Sequence, residues 1–233
     1  MAQDHFDIES LAEFLHVSPQ QVTKLATRDR LPGRRVGGEW RFSRAEIHHW
    51  LEERIGVSNE AELLDMEGLV TEAHPEGIRI AELIQKTGVA VPLLAKTRNR
   101  VIDSMSELAA QTGTLWDPVK MAEAVRVREE LHSTALDNGA ALLHPRRTMP
   151  NIVGEPLVAV GITTSGIPFG GSHGGLTDVF FLICATTDSE HLCVLARLSR
   201  LIASPRFLPG LRNSVDADAV LTLVADVESE LGV

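Results

Sequence analysis

A chain of 233 residues with 44% hydrophobic side chains is long enough for one large or two modest globular cores, and its net charge of −10 argues, as a sum, against nucleic-acid binding. Its longest apolar run, residues 179–185, is far shorter than the ~18 to 20 residues that cross a bilayer, so no transmembrane helix is expected. The polar, acidic opening MAQDHFDIES is unlike a secretory signal, and two cysteines, Cys184 and Cys193, fit a reduced cytoplasmic protein.

The charge is unevenly spread. Residues 1–54 carry eight Lys or Arg against nine Asp or Glu, whereas residues 19–44 carry seven cations against only Asp29 and Glu39, a local +5. A basic patch on an acidic chain points to a phosphate backbone as partner. Ile8, Leu11, Ala12 and Leu15 share one helical face. Ser18, Pro19 and Gln21 form a capping box that starts a second helix, which buries Val22, Leu25 and Ala26. Its other face presents Gln20, Gln21, Thr23, Lys24, Thr27 and Arg28, side chains that reach base edges or phosphates in a major groove.

Gly37-Gly38 between two short strand-like runs predicts a tight hairpin carrying Arg34, Arg35 and Arg41. Ser43 with Glu46 caps a third helix with Ile47, Trp50 and Leu51 on its apolar face, and Trp40 and Phe42 are assigned to the core beneath the hairpin. Helix, turn, helix, then L-P-x-x-R-x-G-x-x-x-R-F, matched by Leu31, Pro32, Arg35, Gly37, Arg41 and Phe42, resembles the excisionase and MerR-like winged helix-turn-helix family. The resemblance implies DNA binding by Gln20, Gln21, Thr23, Lys24, Arg28, Arg34, Arg35 and Arg41 over residues 1–56. One module makes few phosphate contacts, so a homodimer reading two half-sites is expected.

Residues 57–77 are acidic and lack Lys and Arg, which marks a linker. A helix within residues 59–70 is open to three readings: connector, dimer contact or solvated linker. From residue 78 onward strands and helices alternate. Residues 89–95 read as a strand, and Val101, Ile102, Met105, Leu108 and Ala109 as the inner face of a helix. Residues 157–163 and 179–185 read as buried strands. Leu192, Leu195, Ala196, Leu198, Leu201 and Ile202 line one later helix, and Val220, Leu223, Val224, Val227 and Leu231 another. The expected fold class is α/β (α+β), a mixed sheet flanked by helices and preceded by the small winged module.

The stretch REELHSTALDNGAALLHP, residues 128–145, sets Arg128 sixteen residues before His144. With G-I-P-F-G at Gly166, D-V-F-F-L-I at Asp178 and H-L-x-x-L-A-x-L at His191, it resembles the type-2 IIA domains (fructose, mannitol and nitrogen-regulatory) of the phosphotransferase system (PTS) over residues 78–233. The resemblance implies that His144 accepts phosphate from the phosphocarrier HPr or its nitrogen-branch relative, with Arg128 the active-site arginine and His191 the second active-site histidine. Where the family usually reads G-x-A-I-P-H, this chain has Leu143 in the proline position, followed by Pro145, Arg146 and Arg147.

The chemistry suits those roles. Neutral imidazole is a nucleophile at cytoplasmic pH, and a planar guanidinium matches the charge spread over the oxygens of a metaphosphate-like transition state. Ser133 and Thr134 either donate hydroxyls to the site or cap the segment leading to Gly139. No cofactor is implied, Cys184, His191 and Cys193 lack a fourth ligand at zinc spacing, and His173 reads as a loop residue. The expected function is a DNA-binding transcriptional regulator whose IIA-like domain is phosphorylated on histidine. The alternatives are a phosphohistidine relay to a IIB partner and a IIA-like domain that has lost phosphorylation.

Overall fold

The computed structural model describes residues 5–15, 17–44, 46–47, 50–51, 78–171 and 174–232. The chain divides into two compact units, residues 1–76 and 77–233. The acidic segment 57–77, with its helix expected within 59–70, and His173 lie outside the described residues.

In the first unit α1 (Ile8–Phe14) starts at a capping box in which Asp7 and Ser10 satisfy each other's backbone N–H groups. The predicted Ser18–Gln21 box starts α2 (Pro19–Thr27), with Pro19 in the first turn. Leu11, Ala12, Val22 and Ala26 are buried, and Leu25 is half-buried. At the end of α2, Asp29 N–H donates to the Ala26 carbonyl and Arg30 N–H to that of Leu25, with Asp29 at φ +52°. That is a Schellman closure with aspartate where glycine is usual.

The hairpin pairs β2 (Arg34–Val36) with β3 (Glu39–Ser43), Arg34 facing Arg41 and Arg35 facing Trp40. Gly37 and Gly38 take φ +63° and +91°, as a two-residue turn matched to strand twist requires. A short β1 (His5–Phe6), which periodicity does not predict, pairs with the other edge of β3. Beyond β3 the chain is helical at Arg44, Glu46, Ile47, Trp50 and Leu51, with Ile47 and Leu51 buried.

The second unit is built on a mixed four-stranded sheet in the order β4-β6-β7-β5 (Val89–Ala90, Leu157–Pro168, Leu176–Cys184 and Ala140–Leu143). The β6 and β7 strands are antiparallel, while the two outer strands run parallel to their neighbours. The strand expected over 89–95 is cut to two residues because Pro92 offers no ladder donor, although the Leu93 N–H still reaches the Ile162 carbonyl at 2.7 Å. Conversely, β6 runs past its expected end at residue 163, through a register irregularity between Ile162 and Ile167.

Helices cover both faces. One core packs Val101, Ile102, Met105, Leu108 and Ala109 of α4 (Arg98–Ala110) and Met121, Ala122 and Val125 of α5 (Pro118–Leu131) against Ala141, Leu143, Ala159, Phe180 and Leu182. The alternate strand residues Leu142, Val158, Val160, Phe181 and Ile183 are buried on the opposite face. There Phe181 stacks on Phe207 of α7 (Phe207–Asn213), and α6 (Asp188–Ala203) and α8 (Ala217–Leu231) complete the layer. A sheet buried on both faces explains why its strands read as continuous apolar runs. The remaining α3 (Ile80–Leu83) is a single turn whose Ile80 and Ala81 N–H groups donate to buried Glu228 of α8.

Candidate functional site

The site of the second unit lies where β5 ends. Gly139, at φ +90°, turns the chain into β5, and a β-carbon there would lie 2.6 Å from Arg212 Nη2. Arg212 is held by two 2.8 Å bonds to Asp178 and a third to the Asn138 carbonyl. The strand then pairs Leu142 with Phe181 and Leu143 with Leu182, so His144 leaves the sheet directly after a ladder position. Leu143 is fully buried in the core. Strand pairing and burial restrain the backbone at the position where the resemblance would place a proline ring.

Burial and hydrogen bonding fix the His144 ring, which is only 3% exposed. Its Nδ1 lies 2.8 Å from the Leu142 carbonyl, a pure acceptor, so the ring proton is on Nδ1 and Nε2 carries the lone pair. Arg128, in the last turn of α5, donates from Nε to that Nε2 at 3.2 Å and from Nη1 to the His132 carbonyl at 2.9 Å. His191, in the first turns of α6, brings its ring centroid within 4.9 Å of His144's, the planes tilted by 56°. Thus Arg128, His144 and His191 are all buried and converge from the end of α5, the residue after β5 and the start of α6.

Two polar residues nearby escaped the sequence reading. Glu129, 3% exposed, accepts from Arg98 Nη2 at 2.9 Å and from the Thr134 N–H at 3.0 Å, and it bonds the Thr134 hydroxyl as well. Arg98 lies with its guanidinium 5.5 Å from the Phe169 ring centroid. The Thr134 hydroxyl is thereby committed to Glu129, while Ser133 Oγ donates to the Phe169 carbonyl at 3.3 Å. Sequence signals were scant: Glu129 merely adjoins Arg128, and Arg98 lies thirty residues away.

In the first unit, Pro19, Gln20, Thr23, Lys24, Thr27 and Arg28 of α2 line one shallow, open groove. Gln21 instead accepts from Ser18 N–H at 2.8 Å, and Thr23 donates to the Pro19 carbonyl at 2.9 Å. Arg35 stacks its guanidinium 5.2 Å from the Trp40 ring centroid. Arg34 meets Glu46 at 3.5 Å, and Arg41 meets Glu39 at 3.0 Å and Asp7 at 3.8 Å. Phe42 is fully buried and stacks on half-buried Trp40 at 6.0 Å. Ion pairs this exposed are worth ~0 to 1 kcal/mol each.

The family model for the phosphoenolpyruvate-dependent sugar phosphotransferase system, EIIA 2, matches residues 82–227. The chain belongs to this family. A helix-turn-helix domain model matches residues 6–55, so a helix-turn-helix domain precedes the type-2 IIA domain. The IIA region is 25% identical over 154 residues to a nitrogen regulatory protein of Pseudomonas aeruginosa, covering 65% of this chain and 98% of that one. It is 28% identical over 149 residues to the fructose-specific EIIABC component of Bacillus subtilis, where it spans 63% of this chain but only 23% of the larger protein.

Solved structures share the fold. The nitrogen regulatory protein IIA-Ntr of Neisseria meningitidis superposes with a TM-score of 0.56 at 20% identity over 62% of this chain and 98% of its own. The mannitol IIA of Escherichia coli gives 0.53 at 22% identity over 60% and 97%. Among the described residues no helix is long and apolar enough to cross a membrane, and no group of three or more His, Cys, Asp and Glu is placed to hold a metal.

Proposed function

We propose that this protein is a DNA-binding regulator whose IIA domain takes a phosphoryl group from an HPr-like phosphocarrier onto His144 Nε2. The observation that carries the reading is the polarised ring: Nδ1–H on the Leu142 carbonyl at 2.8 Å and Nε2 facing Arg128 Nε at 3.2 Å. In the transfer, the Nε2 lone pair attacks phosphorus and the N–P bond of the donor phosphohistidine breaks. The bonding pair returns to the donor ring, and the His144 proton stays on Nδ1. Arg128 turns its N–H from Nε2 to the incoming equatorial oxygens, and a cation already buried beside the ring stabilises the spreading charge there. His191 adds a hydrogen bond to the phosphoryl group.

DNA recognition falls to residues 1–56, through the outer face of α2 and the Arg34, Arg35 and Arg41 hairpin, in a homodimer reading paired half-sites. Residues 57–77 are the linker, and 78–233 the sensing domain. Phosphorylation adds nearly two negative charges to an acidic domain and biases the DNA-bound state by repulsion.

The test is incubation with phosphoenolpyruvate, enzyme I and HPr, with mass spectrometry of acid-labile phosphate in wild type and His144→Ala. Label in wild type alone is expected, and label surviving the substitution overturns the assignment. Mobility shifts of a selected operator should then differ between the two forms, and coincident titrations would remove the switch. A relay function remains the second reading, favoured by the fructose-specific relative and by a solved complex of E. coli mannitol IIA with phosphorylated IIB. It requires onward transfer from His144 to a IIB partner.

A further inference from the structure

Glu129 is a carboxylate almost wholly inside the protein, its side chain 1% exposed. Burying that charge is unfavourable unless donors surround it, and here Arg98, the Thr134 N–H and the Thr134 hydroxyl do so. The three bonds join elements that bear on His144. Glu129 adjoins Arg128 in the last turn of α5, and Thr134 begins the segment lying beside β5.

From Thr134 the hydrogen bonding continues to the ring. Leu142 N–H donates to the Thr134 carbonyl at 3.2 Å, and Leu136 N–H to that of Ala140 at 2.8 Å, so residues 134–136 run along the free edge of β5. The carbonyl of the same Leu142 accepts His144 Nδ1–H. The orientation of this carbonyl selects which ring nitrogen holds the proton. Arg98 secures the other end, bonding both the Glu129 side chain and its carbonyl while lying against Phe169, whose own carbonyl takes Ser133 Oγ.

We propose that Glu129 is a positioning residue for His144: by clamping Thr134 against the edge of β5 it fixes the Leu142 carbonyl, and so holds the Nδ1-protonated tautomer that leaves Nε2 as the nucleophile. This rests on the reading of His144 as phosphoryl acceptor. It adds to that reading a residue that touches neither the phosphate nor the ring. A carboxylate suits the task better than an apolar side chain, because it holds the backbone N–H and the hydroxyl of Thr134 and one cation in fixed directions.

The experiment uses the full chain, 15N-labelled, with histidine ring nitrogens followed by long-range proton–nitrogen correlation and His144 assigned by its loss in His144→Ala. Wild type is expected to show a protonated Nδ1 and a pyridine-like Nε2. Glu129→Gln should populate the opposite tautomer and slow phosphorylation by phosphoramidate by ~10-fold, the usual loss on removing a supporting partner. This small donor needs no protein docking surface. Thr134→Val, which removes only the hydroxyl donor, should move both readouts in the same direction by less, and it decides the matter if the Glu129 variant does not fold. Wild-type ring shifts and wild-type phosphoramidate rates in the folded variants, with only the melting temperature lowered, overturn the proposal. A wild-type ring of the expected tautomer that takes no phosphate defeats the acceptor reading instead and leaves the tautomer comparison intact.

Discussion

The hairpin of the first unit and the buried interior of the second use arginine in opposite ways. Around the hairpin, Arg34 keeps 63% and Arg41 42% of its side chain in water, and both partner carboxylates that are themselves exposed. In the IIA unit Arg128 and Arg197 are 6% and 5% exposed, Arg128 donating to the His132 carbonyl and the His144 ring and Arg197 to the Ile78 carbonyl. Exposed cations meet a polymer of phosphates by counterion release and are screened by salt. In its proposed role the buried guanidinium of Arg128 meets a single phosphoryl group through its planar fork, where screening is weak.

The strongest way to break this contrast is at Arg128. Arg128→Lys keeps the charge but not the planar fork, and phosphorylation of His144 should fall ~10²- to 10³-fold, the usual loss of one transition-state donor. Raising salt from 0.1 to 0.5 M should scarcely alter the wild-type rate with phosphoramidate, read by quenched-flow mass spectrometry, while weakening DNA binding steeply. Equal salt dependence in the two assays would show that Arg128 acts as a solvated charge.

Next in size is the entry to β5. Gly139→Ala forces a β-carbon into a φ of +90° and into the Arg212 guanidinium, and should cost ~1 to 3 kcal/mol, measured by denaturant unfolding of the IIA unit. The helix-turn-helix transition should not move, because the strain is confined to the second unit. For the first unit, Lys24→Ala and Arg28→Ala should each weaken DNA binding uniformly across sequences and lower the slope of log K against log salt by ~0.9, measured by fluorescence anisotropy. A loss restricted to one base pair would make that residue a base reader instead.

Sequence was most informative where apolar periodicity or capping chemistry was undiluted. The inner faces of α4, α6 and α8 and the Ser18 capping box follow directly from such patterns. The α5 helix was hidden because its buried face carries Arg128 and Glu129 among apolar residues, while Val119, Val127 and Leu131 are exposed, which blurs the stripe. Its Asp117-Pro118 start was a legible signal. The α7 helix was masked by Pro209-Gly210, which reads as a loop but lies within the helix. At the site, His144, Arg128 and His191 were legible as a motif. Glu129 and Arg98 were not, since their bond depends on α4 packing beside α5, a tertiary fact no local spacing encodes.

The smallest expected effect lies at Asp29, the left-handed residue closing α2 between Arg28 and Arg30. Glycine at this position relieves the β-carbon penalty but widens the unfolded ensemble, so Asp29→Gly should stabilise the helix-turn-helix unit by only ~0.5 kcal/mol. It also removes one of two carboxylates within residues 19–44. If that face meets phosphates alone, the variant should bind DNA slightly more tightly at low salt, with the gain vanishing as salt rises. Weaker binding, at one cytosine position in particular, would show that Asp29 accepts from a base. The exposed unit would then read sequence with an acid as well as hold the backbone with its arginines.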